Sequence, residues 1–182
     1  MGARETLVTE LRTHALVIGE VTLTSGKTAQ YYVDAKRAIM LRTGFLAVGE
    51  LVCELAAELG ATAVGGMTMG ADPVACAALT GESDLKAFFV RKERKEHGLQ
   101  RWVEGPLLTP GERCLIVEDV VTTGGSTVQA IERVKDEGFE IVGVTCVLDR
   151  LAGGGAAIEA VAGVPLTALA TIDDVYPERT DR

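Results

Sequence analysis

Two carboxylates, three hydroxyls and two glycines stand close together in residues 114–126, CLIVEDVVTTGGS. The apolar residues 114–117 predict a buried parallel strand, and Glu118 and Asp119 follow it directly. Five small residues then open a helical pattern: Thr122, Thr123, Gly124, Gly125 and Ser126. Backbone N–H groups at such a helix N-terminus bind phosphate, and ligands of open α/β sheets lie beyond the carboxyl ends of the strands. Carboxylates for ribose hydroxyls beside a phosphate cradle favour a phosphorylated sugar as the ligand.

A second cluster of charges follows the apolar run 87–90. Residues 91–98 read RKERKEHG and contain four cations: Arg91, Lys92, Arg94 and Lys95, with His97 close behind. Such a run is often only a solvated surface, but this one opens a long polar stretch, 91–112, that has no periodicity. We expect the stretch to act as a mobile loop, about 91–105, whose cations close over a diphosphate and neutralise its charge.

Two further sites follow predicted strands. The turn Gly65–Asp72 is rich in glycine, which suits either tight packing or a phosphate contact through main-chain amides. Arg150 follows strand 140–148, where it could pair with a surface acid or bind an anionic ligand. The residues alone leave both alternatives open.

Other phosphate-binding and metal-binding classes are excluded by spacing. Gly26-Lys27-Thr28 imitates the end of a Walker A motif, but Val21 occupies the position of the required glycine, and no G-x-G-x-x-G fingerprint occurs. The four cysteines stand singly in apolar runs, which predicts buried free thiols rather than a zinc site or disulfides. The formal net charge of −8 disfavours nucleic-acid and membrane partners.

Strands that alternate with helices predict an α/β fold with a central, mainly parallel sheet covered on both faces. Helices are predicted at 3–16, 43–59 (capped by Thr43 and ended by Gly60), 72–80 and 126–137, and strands at 21–24, 31–33, 62–67, 85–90, 113–118, 140–148 and 165–171. At 182 residues, of which 47% are hydrophobic, one domain over 1–182 is expected. No apolar segment resembles a signal peptide or a membrane span, so we expect a cytoplasmic protein.

Taken together, the motifs resemble those of the type I phosphoribosyltransferases, and of the orotate phosphoribosyltransferases in particular. Residues 118–126 resemble the loop that binds phosphoribosyl pyrophosphate (PRPP). Arg91-Lys92-Glu93-x-Lys95-x-His97-Gly98 resembles the catalytic loop of the orotate-specific enzymes. Ser25-Gly26-Lys27 with Tyr31-Tyr32-x-Asp34 resembles their base-site segment.

The resemblance implies a small hood over about 1–40 on a core over about 41–182, in a homodimer whose sites are shared between subunits. It also implies Mg²⁺, held mainly by PRPP and water. The implied PRPP ligands are Arg91, Lys92, Lys95, His97, Glu118, Asp119, Val120, Val121, Thr122, Thr123, Gly124, Gly125 and Ser126. The implied orotate ligands are Thr122 and Arg150, and the implied catalytic residues are Lys95, Arg91, His97 and Asp119.

The resemblance also implies that the turn at 65–72 contacts pyrophosphate. Some members carry a lysine there at the position of Met69, so a side-chain contact from Met69 is not expected. Two alternatives remain open: a phosphoribosyltransferase for another base, and a regulator that binds PRPP without reacting.

Overall fold

A computed structural model describes residues 2–22, 28–93 and 101–180. Its main element is a six-stranded sheet in the order β5-β4-β3-β6-β7-β8. The strands are β3 (Ala63–Met67), β4 (Lys86–Val90), β5 (Val103–Glu104), β6 (Arg113–Val121), β7 (Glu140–Asp149) and β8 (Leu166–Thr171). All neighbours pair in parallel except β4 and β5, which are antiparallel. The predicted α/β fold with a mainly parallel sheet is confirmed.

Helices cover both faces of this sheet. They are α1 (Ala3–Glu10), α2 (Lys36–Ile39), α3 (Arg42–Leu59), α4 (Ala71–Ala77), α5 (Gly125–Asp136), α6 (Gly154–Ala162) and α7 (Ile172–Val175), with a π-helical turn at Leu11–Ala15 and a 3₁₀ turn at Ala78–Thr80. Alternate residues of β6 enter opposite cores: Leu115 packs with α1, α3 and α4, whereas Ile116 packs with α5 and α6. The apolar run of β6 is continuous because both faces of the sheet are buried.

The amino-terminal part forms a separate antiparallel pair, β1 (Leu16–Thr22) with β2 (Thr28–Val33). The first of these strands was predicted too late, at 21–24. Its pairing is interrupted between Ile18 and Val21, and Gly19 has a φ of +137°. This irregularity breaks the alternation of residue types by which a strand is read from sequence.

Three other expectations about local structure were wrong. Thr43 does not cap α3: the Leu41 carbonyl already accepts the N–H of Phe45, so the helix begins before Thr43. The strand predicted at 113–118 continues to Val121, because its last residues pair with β7 up to Asp149. The stretch at 91–112 was expected to lack regular structure, yet it contains β5, which is short and pairs only with β4.

The strand predicted at 31–33 begins earlier, at Thr28, because its first two residues pair with the last two residues of β1. The other boundaries lie within a few residues of prediction. Gly60 ends α3 in the left-handed conformation, and Gly138 follows α5 with a φ of +84°. Within the described ranges, no helix combines the length and apolar character needed to cross a bilayer.

Candidate active site

The phosphate cradle forms where β6 gives way to α5. Gly124 adopts a φ of +80°, and a Cβ there would lie 2.8 Å from the carbonyl oxygen of Gly154, so the turn requires glycine. The first N–H groups of α5 have no partners inside the helix and are free to bind an anion. Residues 120–127 with Glu118 and Gln129 line a cavity of about 410 Å³ at this point. The structure therefore places the predicted phosphate-binding loop at the N-terminus of helix α5, next to this cavity.

The acid pair, Glu118 and Asp119, belongs to strand β6, close to its carboxyl end, rather than to the loop that follows the strand. Glu118 is buried, and its carboxylate accepts hydrogen bonds from the Asp119 amide (3.1 Å) and the Thr127 hydroxyl (3.3 Å). Burial, together with the negative charge of Asp119, raises the pKa of Glu118 to about 8. Burial therefore disfavours the charged form of Glu118 more than that of Asp119, which is the more exposed acid of the two.

Lys36, which sequence analysis missed, binds Asp119 of this acid pair. Its ammonium lies 3.1 Å from Oδ2 of Asp119 and 2.9 Å from Oδ1 of Asp34. Burial alone lowers the pKa of Lys36, but its hydrogen bonds and charge interactions with the two aspartates outweigh that effect and raise it. The only sequence signal was its place two residues after Asp34, since Asp119 lies 83 residues away.

The glycine-rich turn at 65–72 packs directly against the acids. A Cβ on Gly70 would lie 2.8 Å from Cγ of Asp119 and 3.0 Å from Oε1 of Glu118. The side chain of Met69 is 75% exposed, and Thr68 donates a hydrogen bond to Asp72 (2.7 Å). The close approach of Gly70 to the two carboxylates explains the glycine at this position without any ligand. Tight packing and a phosphate contact through main-chain amides therefore both remain compatible with the turn.

A second cavity, of about 400 Å³, is lined by Thr68 of this turn together with Phe89, Arg91, Lys92, Glu93 and Glu104. The turn therefore contributes to the cavity at the start of the basic segment and, through Gly70, packs against Asp119. A larger cavity of about 540 Å³ at the β5 edge is lined by residues 101 and 103–108 with Pro110, Glu137 and Phe139, and it contains none of the predicted site residues.

The start of the basic segment is held by α5. Arg133 donates hydrogen bonds to the carbonyls of Arg91 (2.7 Å) and Lys92 (2.9 Å), and its guanidinium stacks 4.3 Å from the ring centre of Trp102. The Arg91 amide also donates to the Trp102 carbonyl (2.9 Å). The same helix thus carries the phosphate cradle at its beginning and fixes the basic segment near its end. Lys95 and His97 lie outside the described residues.

The two predicted orotate ligands follow paired strand ends. Val121 of β6 pairs with Asp149 of β7, so Thr122 and Arg150 are each the next residue along. The Arg150 guanidinium lies 5.0 Å from the ring centre of Tyr31, which brings the amino-terminal sheet onto the core. Its Nε is buried and has no hydrogen-bond partner in the described part of the chain. Buried donors are nearly always paired, so this Nε needs a partner that an ordered water or a bound anion would supply.

In the predicted base-site segment, the structure describes Tyr31, Tyr32 and Asp34. Tyr31 is buried and packs edge-to-face on Tyr176, with ring centres 5.5 Å apart, while Tyr32 is 40% exposed. Ser25-Gly26-Lys27 lies outside the described residues.

Comparison with known proteins agrees with this geometry. Residues 43–165 match the phosphoribosyl transferase domain family. The orotate phosphoribosyltransferase of Streptomyces avermitilis is 48% identical over 166 residues, which cover 89% of this chain and 91% of the relative. That of Corynebacterium glutamicum strain R is 44% identical over 174 residues, or 95% of this chain and 94% of the relative. The chain belongs to the orotate phosphoribosyltransferase family.

Solved structures extend the similarity to three dimensions. Mycobacterium tuberculosis orotate phosphoribosyltransferase in complex with Fe(III) dicitrate superposes with a TM-score of 0.87 at 42% identity, covering 96% of this chain and 99% of that one. The same enzyme in complex with PRPP gives a TM-score of 0.82 at 38% identity, covering 95% and 98%. The type I phosphoribosyltransferase fold expected from the motifs is thereby confirmed.

Proposed function

We propose that this chain transfers the 5-phosphoribosyl group from PRPP to orotate, giving orotidine 5′-monophosphate and pyrophosphate in the de novo synthesis of UMP. One observation carries the proposal: the phosphate cradle and the acid pair meet Arg150 at the carboxyl ends of β6 and β7, and the buried Nε of Arg150 has no partner within the described part of the chain. A family member in complex with PRPP has the same fold. The relatives named above are orotate phosphoribosyltransferases.

PRPP would lie along the edge of the sheet. Thr122–Ser126 would hold its 5-phosphate through main-chain amides and hydroxyls, with Val120 and Val121 contributing backbone alone. Asp119 and Glu118 would accept the ribose hydroxyls. Arg91 and Lys92, with Lys95 and His97 beyond the described residues, would hold the diphosphate.

Orotate would lie between Thr122 and Arg150. The planar guanidinium of Arg150 suits a bidentate contact with the orotate carboxylate. This contact would satisfy the Nε that has no partner in the substrate-free site. The orotate carboxylate would therefore be the feature that selects this base.

The reaction needs no nucleophilic side chain. Breaking the bond from ribose C1 to the diphosphate develops positive charge on the sugar and negative charge on the leaving group. The cations of the basic segment would stabilise the leaving diphosphate, while the cradle and Asp119 hold the ribose for attack by the orotate nitrogen.

The proposed magnesium ion would be held mainly by PRPP and water rather than by a set of protein ligands. The described residues contain no group of three or more His, Cys, Asp or Glu that could hold a metal by themselves. Asp119 and Glu118 would stand beside a Mg²⁺ bound mainly by PRPP oxygens and water. When bound, the ion would lower the negative charge of the diphosphate.

We further propose one domain over 1–182, with a hood over about 1–40 and a core over about 41–182. Of the loop expected to be mobile, about 91–105, residues 94–100 lie outside the described residues, while Arg91 and Lys92 are held by Arg133 and residues 103–104 form β5. A homodimer with shared sites and a cytoplasmic location complete the proposal. The four cysteines are all free, which suits a reducing compartment.

The test is a spectrophotometric assay with PRPP, Mg²⁺ and orotate, in which orotate absorbance should fall. Parallel reactions with adenine, hypoxanthine and uracil should show no product. Consumption of another base instead of orotate, or binding of PRPP with no base consumed, would refute the proposal.

Lys95 should contribute most to turnover among the loop residues. With saturating substrates, Lys95→Ala should lose about 100-fold or more in kcat, because one charge that stabilises the transition state is removed. An unchanged kcat in this variant would remove Lys95 from the catalytic residues.

A further inference from the structure

Lys36 stands at the acid pair but belongs to no motif described above. It begins α2 immediately after the amino-terminal sheet, and its ammonium bridges Asp34 and Asp119. An ammonium has three N–H donors, and only these two aspartates accept from it among the described residues. One donor therefore remains for a ligand.

The position of Lys36 along the cleft follows from a chain of contacts. Thr127, beside the cradle, donates to Glu118; Glu118 accepts the Asp119 amide; and Asp119 binds Lys36. Glu118 and Asp119 thus stand between the phosphate cradle and Lys36 in this chain of contacts. In a bound ribose, the 5-phosphate and the C1 substituent lie at opposite ends, so a 5-phosphate in the cradle directs the C1 diphosphate toward Lys36.

The negative charges of the diphosphate and of Asp119 make the position of Lys36 important. The diphosphate of PRPP is strongly anionic, and with the ribose hydroxyls on the acid pair it would lie near the carboxylate of Asp119. The turn that packs on the acids presents Met69 and Gly70 and contributes no cation. The ammonium of Lys36 binds the carboxylate of Asp119, and its positive charge offsets the repulsion between this carboxylate and the diphosphate.

We propose that Lys36 is a further PRPP-binding residue, which neutralises Asp119 and donates its free N–H to the diphosphate. This inference rests on the proposed function, since it takes PRPP as the ligand. It adds a cation from the amino-terminal part of the chain to a site otherwise built from the basic segment and the β6–α5 loop.

The experiment measures binding of three probes by calorimetry in the presence of Mg²⁺: PRPP, pyrophosphate and ribose 5-phosphate. Lys36→Met should weaken PRPP and pyrophosphate about 10- to 100-fold, as expected for loss of a charged hydrogen bond, and ribose 5-phosphate less than about 3-fold. Lys36→Arg should retain most of the affinity, because the charge is kept. Arg37→Met, an exposed neighbour on the same short helix, is the matched control and should bind all three probes normally.

Two results would overturn the assignment. Unchanged binding in Lys36→Met would show that Lys36 does not act on the ligand. Equal weakening of PRPP and ribose 5-phosphate, with pyrophosphate unaffected, would show that Lys36 only positions Asp119.

A second measurement uses the unaltered protein, in case Lys36→Met does not fold. PRPP should protect Lys36 from reductive methylation, as read by mass spectrometry, while Lys86, which is paired with Glu112 at the other edge of the sheet, should react equally with and without PRPP. Equal methylation of Lys36 in both conditions would refute the proposal. Because binding and protection need no base to be consumed, failure of the orotate assay would be distinguishable from failure of this inference.

Discussion

Adding a single methyl group at Gly70 should disable the site without changing any charge. Gly70 has a φ of −64°, so alanine meets no backbone strain there. The new Cβ would clash with Oδ1 of Asp119 and lie 2.8 Å from its Cγ, whereas ordinary contact begins near 3.4 Å, so the carboxylate must retreat by at least about 0.6 Å. The three atoms nearest to the new methyl group all belong to Asp119 and Glu118, so the substitution should affect activity by displacing the acid pair.

The displacement strains two hydrogen bonds. Oδ1 of Asp119 accepts the Val120 amide at 2.8 Å, and Oδ2 accepts Lys36 at 3.1 Å. Overpacking of this kind costs about 1–3 kcal/mol of unfolding free energy. Misplacing a substrate-binding group by a fraction of an ångström to 1 Å should lower kcat/KM for PRPP by about 10- to 100-fold.

The assay combines steady-state kinetics in PRPP with urea unfolding of Gly70→Ala. Gly155→Ala is the matched control, since Gly155 lies in α6 and the nearest heavy atom to its new Cβ is 3.8 Å away. The control should keep its kcat/KM and gain up to about 1 kcal/mol of stability from the better helix former. A Gly70→Ala enzyme with unaltered kcat/KM for PRPP would show that the position of Asp119 does not matter to the reaction.

Three further changes test separate parts of the structure. The pKa of Glu118 is raised from 4.5 to about 8, so between these pH values the folded protein binds a proton that the unfolded chain does not. The free energy of unfolding, measured with urea, should therefore rise as the pH falls from about 8 to 4.5. Glu118→Gln should flatten this rise. Arg150→Met should raise KM for orotate at least about 10-fold with little change in Tm, and Arg150→Lys should recover only part because it lacks the planar fork. Lys86→Met should cost about 1–3 kcal/mol of unfolding free energy, because the buried Glu112 loses its 2.8 Å ion pair, and should leave kcat/KM unchanged.

Each of these has a clear contrary result. A stability profile of Glu118→Gln parallel to that of the unaltered protein would show that another group titrates. A KM for PRPP that rises as much as the KM for orotate in Arg150→Met would place Arg150 outside the base site. Loss of activity in Lys86→Met at a temperature where it remains folded would contradict the assignment of Lys86 to stability, since Lys86 lies at the amino ends of the strands.

The parts of the site that sequence analysis found are those built from consecutive residues. The β6–α5 unit is one strand, one turn and one helix, so Glu118, Asp119 and the cradle could be placed from residue types alone. The start of β1 was missed because its irregular pairing at Gly19 hides the alternation of residue types. The extent of β6 was underestimated because its last pairs depend on β7, a separate segment.

Contacts between distant segments could not be predicted in this way. Lys36 reaches Asp119, and Arg133 holds Arg91 and Lys92, across 83, 42 and 41 residues of chain. A lysine or arginine on a helix gives no sequence signal of its partner, because most such residues are solvated.

The order of residue types along the chain by itself determined the alternating α/β elements, the acid pair before a phosphate-binding helix, and the resemblance to orotate phosphoribosyltransferases. Only the tertiary structure decided which side chains face the acid pair, and that Arg150 packs near Tyr31 with a buried Nε that has no partner among the residues described. The physical reason is that phosphate binding here depends on local backbone geometry, whereas charge neutralisation depends on distances between segments that only packing brings together.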